Sequence, residues 1–266
     1  MDYKNICFQV QEIARETGSF IREEGKKITV SDIEFKGVTS LVTYVDKTAE
    51  ARIVAAVKKL IPGSGFVAEE GTAGSNNEKY TWIIDPLDGT TNFIHGIAPH
   101  SVSIALKEDD KIVLGVVYEV KSDEMFYAWK DSPAYLNGAV IKVSANSKPE
   151  HALIATGFPY YDFDRVDDYI AAMKHLMKTT RGLRRLGSAA IDLAYVAAGR
   201  FDAFYEHALH AWDVAAGVFI IQQAGGKVTD FNGGDKWLFG GELIAASGSY
   251  FDEFYSVINR HLGKKI

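Results

Sequence analysis

The sequence predicts an α+β chain that passes into a smaller α/β unit. Three patterns carry this reading. Two N-terminal segments repeat apolar residues at helical spacing. Phe66 to Trp129 reads as a run of strands in a largely antiparallel sheet. After residue 150, strands and helices take turns.

Ile6, Val10, Ile13, Thr17 and Phe20 fall on one face of a long amphipathic helix, with Arg and Glu between them. Ser40 to Val45 alternates like a strand. A second helix follows Asp46, with Ala49, Ile53, Val57 and Leu60 on one face, and Pro62-Gly63 stops it. Phe66 to Ala68 and Tyr80 to Ile84 read as short strands ending in acidic residues. His100 to Leu106 and Ile112 to Val120 are longer strands around a Glu108-Asp109-Asp110 hairpin loop. Glu124 to Trp129 and Ala134 to Val143 continue the sheet, the last with an Asn137-Gly138 turn. Helices are expected on one side of this sheet. Ser144 to Glu150 is polar, carries a proline and reads as a domain connection, dividing the chain into residues 1–146 and 147–266. Beyond it the expected strands are Ala152 to Thr156, Gly182 to Leu186, Phe201 to Tyr205, Lys227 to Thr229 and Leu243 to Ala246. The expected helices are Val166 to Lys178, Ala189 to Ala198, Val214 to Ala224 and Tyr250 to Leu262.

Composition narrows the function. Of 266 residues 47% are hydrophobic, enough for a large core. Acids outnumber Lys and Arg by 35 to 29, and there is no basic run, which argues against nucleic acid and anionic membranes as partners. The lone Cys7 forms no internal disulfide, which fits a reducing cytoplasm. The N-terminus has no signal-peptide apolar core. The longest apolar run, Val214 to Ile221, falls far short of the ~20 residues that span a bilayer. A soluble cytoplasmic protein is expected.

Four segments carry acids at the ends of expected strands: VTYVD with Asp46, VAEEG with Glu69 and Glu70, IIDPLDGTTN with Asp85 and Asp88, and AWDVAAG with Asp213. Gathered carboxylates repel one another, so such a cluster normally surrounds a cation. Oxygen-only ligands, including the carbonyl of Leu87, select a hard ion, chiefly Mg²⁺, with Mn²⁺ as an acceptable substitute. His207 and His210 lack a third nitrogen or sulfur ligand, so a zinc site is not expected. In Asp85-Pro86-Leu87-Asp88-Gly89-Thr90-Thr91-Asn92, Pro86 sets the direction in which the chain leaves the strand. Gly89 removes a side chain where a ligand must come close, and Thr90 and Thr91 offer hydroxyls and N–H groups to an anion. Cations beside an anion cradle are what phosphoryl transfer needs. Taken alone, each segment has an ordinary reading: a turn, a solvated Glu pair, a helix cap. Their co-occurrence points to a site.

WIIDPLDGTTNFIHG (Trp82 to Gly96) resembles the first signature of the inositol monophosphatase family, and WDVAAGVFIIQQAGG (Trp212 to Gly226) resembles the second. LVTYVD, VAEEG and GSAAIDLAYVAAGRFDAFYE (Gly187 to Glu206) stand in the matching order, so the resemblance covers nearly the whole chain. It implies a layered α-β-α-β-α sandwich with two sheet regions, and membership of the lithium-sensitive, magnesium-dependent sugar phosphatases. It also implies a homodimer. Glu69, Asp85 and the Leu87 carbonyl would hold one Mg²⁺. Asp85, Asp88 and Asp213 would hold a second, and a weaker third would sit near Glu69 and Glu70. Glu69 with Thr90 would activate the attacking water, Asp46 orienting Thr90. Gly89, Thr90 and Thr91 would bind phosphate. Asp88, Gly187, Ser188, Ala189, Glu206 and Asp213 would contact the alcohol side of the substrate. Small residues at Gly187 to Ala190 equally serve close helix–sheet packing.

The implied activity is phosphomonoester hydrolysis of inositol monophosphates and related polyol phosphates. NADP, fructose 1,6-bisphosphate and 3′-phosphoadenosine compounds are alternative or additional substrates, and a regulatory binding protein that keeps the fold is a rival of another class. Ser40 stands where the family often has an acid, near Lys36, which bears on the third ion and on lithium sensitivity. Arg181, Arg184 and Arg185 read as a solvated surface or subunit contact, or as a site for a second phosphate. Setting aside Asp46, Glu69, Glu70, Asp85, Asp88 and Asp213 leaves 29 acids against 29 bases. The acidity is thus concentrated in the expected metal cluster.

Overall fold

The computed structural model describes residues 1–28, 33–35, 41–71, 78–158 and 163–264. Helix α1 (Tyr3–Glu24) starts at Asp2, whose carboxylate accepts from Asn5 N at 3.0 Å. It buries Ile6, Val10, Ala14 and Ile21, while Ile13 and Phe20 are half-buried at the edge of the stripe. Strands β1 (Ile33–Phe35) and β2 (Leu41–Thr43) form a separate antiparallel ribbon. Helix α2 (Tyr44–Leu60) buries Ala49, Ile53 and Val57, as its spacing predicts. The expected strand over Ser40 to Val45 is shorter than its alternation implies. The described strand is Leu41–Thr43, and Thr43 already caps the helix, so Tyr44 and Val45 are helical.

A meander of seven strands follows: β3 (Gly65–Ala68), β4 (Tyr80–Asp88), β5 (Ser101–Glu108), β6 (Lys111–Glu119), β7 (Glu124–Trp129), β8 (Ala134–Leu136) and β9 (Ala139–Ile141), with the short helix α3 (Thr90–Ile94) between β4 and β5. The strands lie in chain order, and β3–β4 is the parallel pair. The expected Asn137-Gly138 turn closes β8 and β9, with φ of 47° and 86°.

Helices cover this sheet on both faces, not on one side. The reason is in the strands. Trp82, Ile84, Ile104, Leu106, Val116 and Tyr118 pack with α1 and α2. The alternate residues Ile83, Ala105, Val117, Phe126 and Ala128 join α5 and α6 in a second core. Strands apolar on both faces need cover on both. Gly115 of β6 permits that cover to come close: a Cβ there would stand 2.7 Å from the Ala216 carbonyl oxygen.

The remaining elements are β10 (Leu153–Thr156), α4 (Val166–Thr179), β11 (Gly182–Arg184), α5 (Ala189–Ala197), β12 (Ala203–His207), α6 (Ala211–Gln223), β13 (Gly226–Thr229), β14 (Glu242–Ser247) and α7 (Phe251–Leu262). Their sheet runs β11-β10-β12-β14-β13, with β10 parallel to both its neighbours and the other pairs antiparallel. Ala155, Phe204, Leu243 and Ala245 face α5 and α6. Ile154, Tyr205, Ile244 and Ala246 face α4 and α7. The layers are therefore α1/α2, seven strands, α5/α6, five strands and α4/α7, the expected α-β-α-β-α sandwich.

Candidate active site

The site forms where β4 leaves its sheet. The β4–β5 register holds to Asp85↔Ser103, shifts, and resumes at Asp88↔Ser101. Pro86 sits at the shift, where it has no N–H to give to a ladder. Asp85 turns back on the bend, and its Oδ1 accepts from Leu87 N at 2.9 Å. Gly89 follows with φ of 90° and starts α3. A Cβ there would lie 3.0 Å from Pro99 O and 3.1 Å from Gly187 O, so the close approach expected at this glycine is to the protein's own backbone.

Asp46 and Asp213 do not end strands. Each lies in the first turn of a helix, because a carboxylate there satisfies an orphan backbone N–H. Asp46 accepts from Thr43 N at 2.8 Å and from Thr43 Oγ1 at 2.7 Å. Asp213 accepts from His210 N at 2.6 Å, and α6 accordingly begins at Ala211, ahead of the expected Val214. His207 ends β12 and His210 directly precedes α6.

One oxygen each of Asp85, Asp88 and Asp213 lies within 4.8 Å of the others, the one metal-type cluster found among the described residues. Burial comes first in setting their charge, and repulsion from neighbouring carboxylates adds to it at Asp85 and Asp213. Asp85 is held well above the usual carboxylate range by burial and by Glu69, Asp88 and Asp213. Asp213 is raised likewise by burial and by Asp88, Glu69 and Glu206. Asp88 is pushed up to about 6 by burial, against the bonds it accepts. Hard oxygen donors that resist ionising together fit a hard cation. Glu69 directly follows β3, where its N–H donates to Ile84 O at 3.3 Å. Its charge is the largest acting on Asp85. Glu70 N donates to Glu50 Oε2 at 2.7 Å. Glu50 is a fully buried acid on the apolar face of α2, and its only sequence signal was its place beside Ala49.

Thr90 Oγ1 is 3.0 Å from both Asp46 Oδ1 and the Leu87 carbonyl. Burial raises the Asp46 carboxyl, and its bonds from Thr43 and Thr90 oppose the shift. Thr91 is exposed in the first turn of α3.

The opposite side is built from α5 and β12. Ser188 caps α5, accepting from Ile191 N at 3.3 Å, and donates to Asp88 Oδ2 at 2.5 Å. Ala190 N donates to the same oxygen at 2.8 Å. Ala189 N also bonds Asp88. The small residues from Gly187 to Ala190 thus bring a helix start onto a cluster acid. Gly187 has φ of 93°, and a Cβ there would stand 2.7 Å from an Arg185 guanidinium nitrogen and 3.0 Å from the Asn92 amide. Glu206 is buried in β12 against Gly157, where any Cβ would collide with it. Burial pushes its pKa up to about 8, opposed by Arg185.

Sequence reasoning passed over Asn92. Its Nδ2 donates at 2.8 Å to Pro99 O and at 2.8 Å to Leu186 O, tying the metal loop to the approach of α5. Its only signal was its place at the end of the Asp-Gly-Thr-Thr-Asn run. Asp192 of α5 was also missed, being one acid in an apolar helix. The arginine cluster divides. Arg181 and Arg184 are exposed, while Arg185 turns inward with its guanidinium 5.5 Å from the Phe158 ring. Lys36 and Ser40 lie outside the described residues.

The model of the inositol monophosphatase family matches residues 2–262. The Nus factor SuhB of Pseudomonas aeruginosa is 41% identical over 254 residues, 94% of each chain. The inositol-1-monophosphatase of Mesorhizobium japonicum is 38% identical over 89% of each chain. Among solved structures, the extragenic suppressor protein SuhB of Bartonella henselae superposes with a TM-score of 0.89 at 36% identity, over 94% of this chain and 97% of that one. The inositol monophosphatase of Anabaena superposes with 0.86 at 33% identity, over 98% of each.

Proposed function

The chain belongs to the inositol monophosphatase family, and we propose that it hydrolyses inositol monophosphates and related polyol phosphates in a Mg²⁺-dependent reaction. The observation that carries this reading is the trio Asp85, Asp88 and Asp213, with oxygens within 4.8 Å of one another, Asp85 buried and Asp88 and Asp213 half-buried. Asp85, Asp88, Asp213, Glu69 and the Leu87 carbonyl would hold two Mg²⁺, with Glu70 beside a third; Mn²⁺ would suit the same oxygens. Bound there, the cations would offset the phosphate charge and make an attacking water more acidic.

The chain's own residues supply the rest. Glu69 takes the proton of the attacking water. Thr90 has one hydroxyl hydrogen to share between Asp46 and the Leu87 carbonyl, so its lone pairs are left to accept from that water and aim it. Gly89, Thr90 and Thr91 present N–H and hydroxyl groups to the phosphate. Ser188 and Ala190 hold Asp88 in place, and Gly187, Ser188, Ala189 and Glu206 meet the alcohol.

The test is phosphate release from inositol 1-phosphate with and without Mg²⁺. NADP, fructose 1,6-bisphosphate and a 3′-phosphoadenosine compound are run beside it. Release that does not depend on a metal would overturn the reading. A bisphosphate preference lost in Arg184→Gln would move the substrate to that class. A second reading, a regulatory binding protein, draws on the relatives named Nus factor. A partner retained in a pull-down equally well by Asp85→Asn would support it.

The same reading carries a homodimer, a cytoplasmic location, lithium sensitivity and a division of the chain at 146/147. Sedimentation, lithium inhibition and limited proteolysis test three of these. None of the described helices is long and apolar enough to cross a membrane.

A further inference from the structure

Glu206 is 7% exposed, yet its carboxyl group accepts no hydrogen bond from the described residues. A buried acid is normally held by donors. Here packing holds it, and the strand register shows against what. Strands β10 and β12 run parallel, with Thr156 beside Tyr205. The next residues, Gly157 and Glu206, therefore stand side by side. A Cβ on Gly157 would collide with Oε1, Cδ and Oε2 of Glu206. The whole carboxyl group rests on the face that this glycine leaves open.

The backbone does not ask for glycine here. Gly157 is not among the glycines with positive φ, so an L side chain could adopt its conformation. Space for Glu206 is what remains to explain it. The seat is also fixed. Thr156 Oγ1 and the Tyr169 hydroxyl of α4 are 2.6 Å apart, and both residues are 1% exposed. Each hydroxyl lies within 3.3 Å of the Gly157 carbonyl oxygen and of the Tyr205 carbonyl oxygen. This buried pair clamps the seat to the strand that carries the acid.

We propose that Gly157 is a positioning residue for the alcohol side of the substrate, acting through Glu206. The proposal rests on the polyol phosphatase reading above. The seat holds the carboxyl group by its shape and spends none of its hydrogen-bonding capacity, so substrate hydroxyls supply the bonds that the protein omits. Ionisation does not decide the role: a protonated carboxyl group keeps an acceptor oxygen and gains a donor. A methyl group on residue 157 drives the carboxyl group off its seat. The atoms in the way are the end of a flexible side chain, so the acid moves and the fold stays.

The experiment is a double-mutant cycle of Gly157→Ala and Glu206→Ala on two substrates in saturating Mg²⁺. One is inositol 1-phosphate. The other is 4-nitrophenyl phosphate, an aryl ester with no hydroxyl for Glu206 to meet. Gly157→Ala should lower the ratio of kcat/KM for inositol 1-phosphate to that for the aryl ester about tenfold, the worth of one good hydrogen bond. With Glu206→Ala already present, the same substitution should change the ratio less than about twofold, because nothing is left to displace. Should Gly157→Ala fold poorly, urea unfolding completes the same cycle. Recovery of stability in the double variant supports the seat, and no recovery overturns it. A parallel loss on both esters, or a tenfold fall in the ratio that persists without the Glu206 carboxyl group, would also overturn it. If the unmodified chain hydrolyses neither ester with Mg²⁺, the phosphatase reading itself falls and takes this role with it. If it hydrolyses both and Gly157→Ala leaves their ratio unchanged, only the role of Gly157 falls.

Discussion

The two sides of the site are held in different ways. On the metal side, acids are fixed by neighbours in sequence: Asp85 by Leu87 N, Asp46 by Thr43 and Asp213 by His210 N. On the alcohol side, the bonds span the chain. Ser188 and Ala190 reach Asp88 across about a hundred residues, and Asn92 reaches Leu186 across 94. A local turn or cap can aim a carboxylate before the fold is complete. The alcohol side exists only once α5 and β12 have docked against the end of β4. Charge chemistry thus rests on short-range structure, and recognition of the alcohol on long-range packing.

Asp88 is where the two sides meet, so replacing it should have the largest effect. Asp88→Asn keeps the shape, removes a charge from the trio and leaves the α5 bonds weaker. Phosphate release should fall about 10²–10³-fold, while circular dichroism stays native. Unchanged turnover would break the comparison at its centre.

Asn92→Leu should separate the sides without touching the trio. Two carbonyls, the buried Pro99 and the half-buried Leu186, lose this donor. The loss should appear as about 1–3 kcal/mol in urea unfolding, with inositol 1-phosphate turnover falling more than aryl phosphate turnover. Equal losses on both substrates would show that the tie serves the whole site and not its alcohol side.

Titration sharpens the comparison more gently. The folded pKa values of Asp85, Asp88, Asp213 and Glu206 are raised, Asp88 to about 6 and Glu206 to about 8. A raised acid binds more protons folded than unfolded. Stability is therefore lost as pH climbs from the ordinary carboxylate range through these values. The melting temperature of the metal-free protein should fall between pH 5 and pH 8. Added Mg²⁺ should raise it more at pH 8, where fewer protons compete. A melting temperature that rises over that interval without metal would contradict the assigned burial.

The smallest effect belongs far from either side. Arg15 and Asp123 pair at 2.9 Å, but their side chains are 43% and 60% exposed. Arg15→Ala should change stability by less than about 1 kcal/mol and leave both substrates unaffected. A larger change would mean that α1 is coupled to the site.

Much of this was legible in the sequence because its cause is local. Pro86 and Gly89 announce a bend that ends in close contact, and the bend delivers Asp85 and Asp88 together. Short apolar runs between turn residues marked β4 to β7, and the Asn137-Gly138 turn required its positive φ. Where reading erred, the cause was an environment the pattern does not carry. Asp46 and Asp213 look the same in sequence whether they end a strand or cap a helix. The sheet strands are apolar on both faces, and only the docking of α5 and α6 revealed the second layer of helices.

By itself, then, the sequence determined the elements, the bend that pairs Asp85 with Asp88, and an excess of acids over Lys and Arg. Periodicity, proline and glycine act over a few residues, and so a linear reading reaches them. Tertiary structure decided that Asp213 joins the pair and that Asn92 ties the loop to α5. It also decided that Arg185 turns in toward Phe158 and Gly187 while Arg181 and Arg184 stay exposed. Those outcomes depend on which surfaces meet when two sheets close on α5 and α6. The burial that follows sets the charge of each acid.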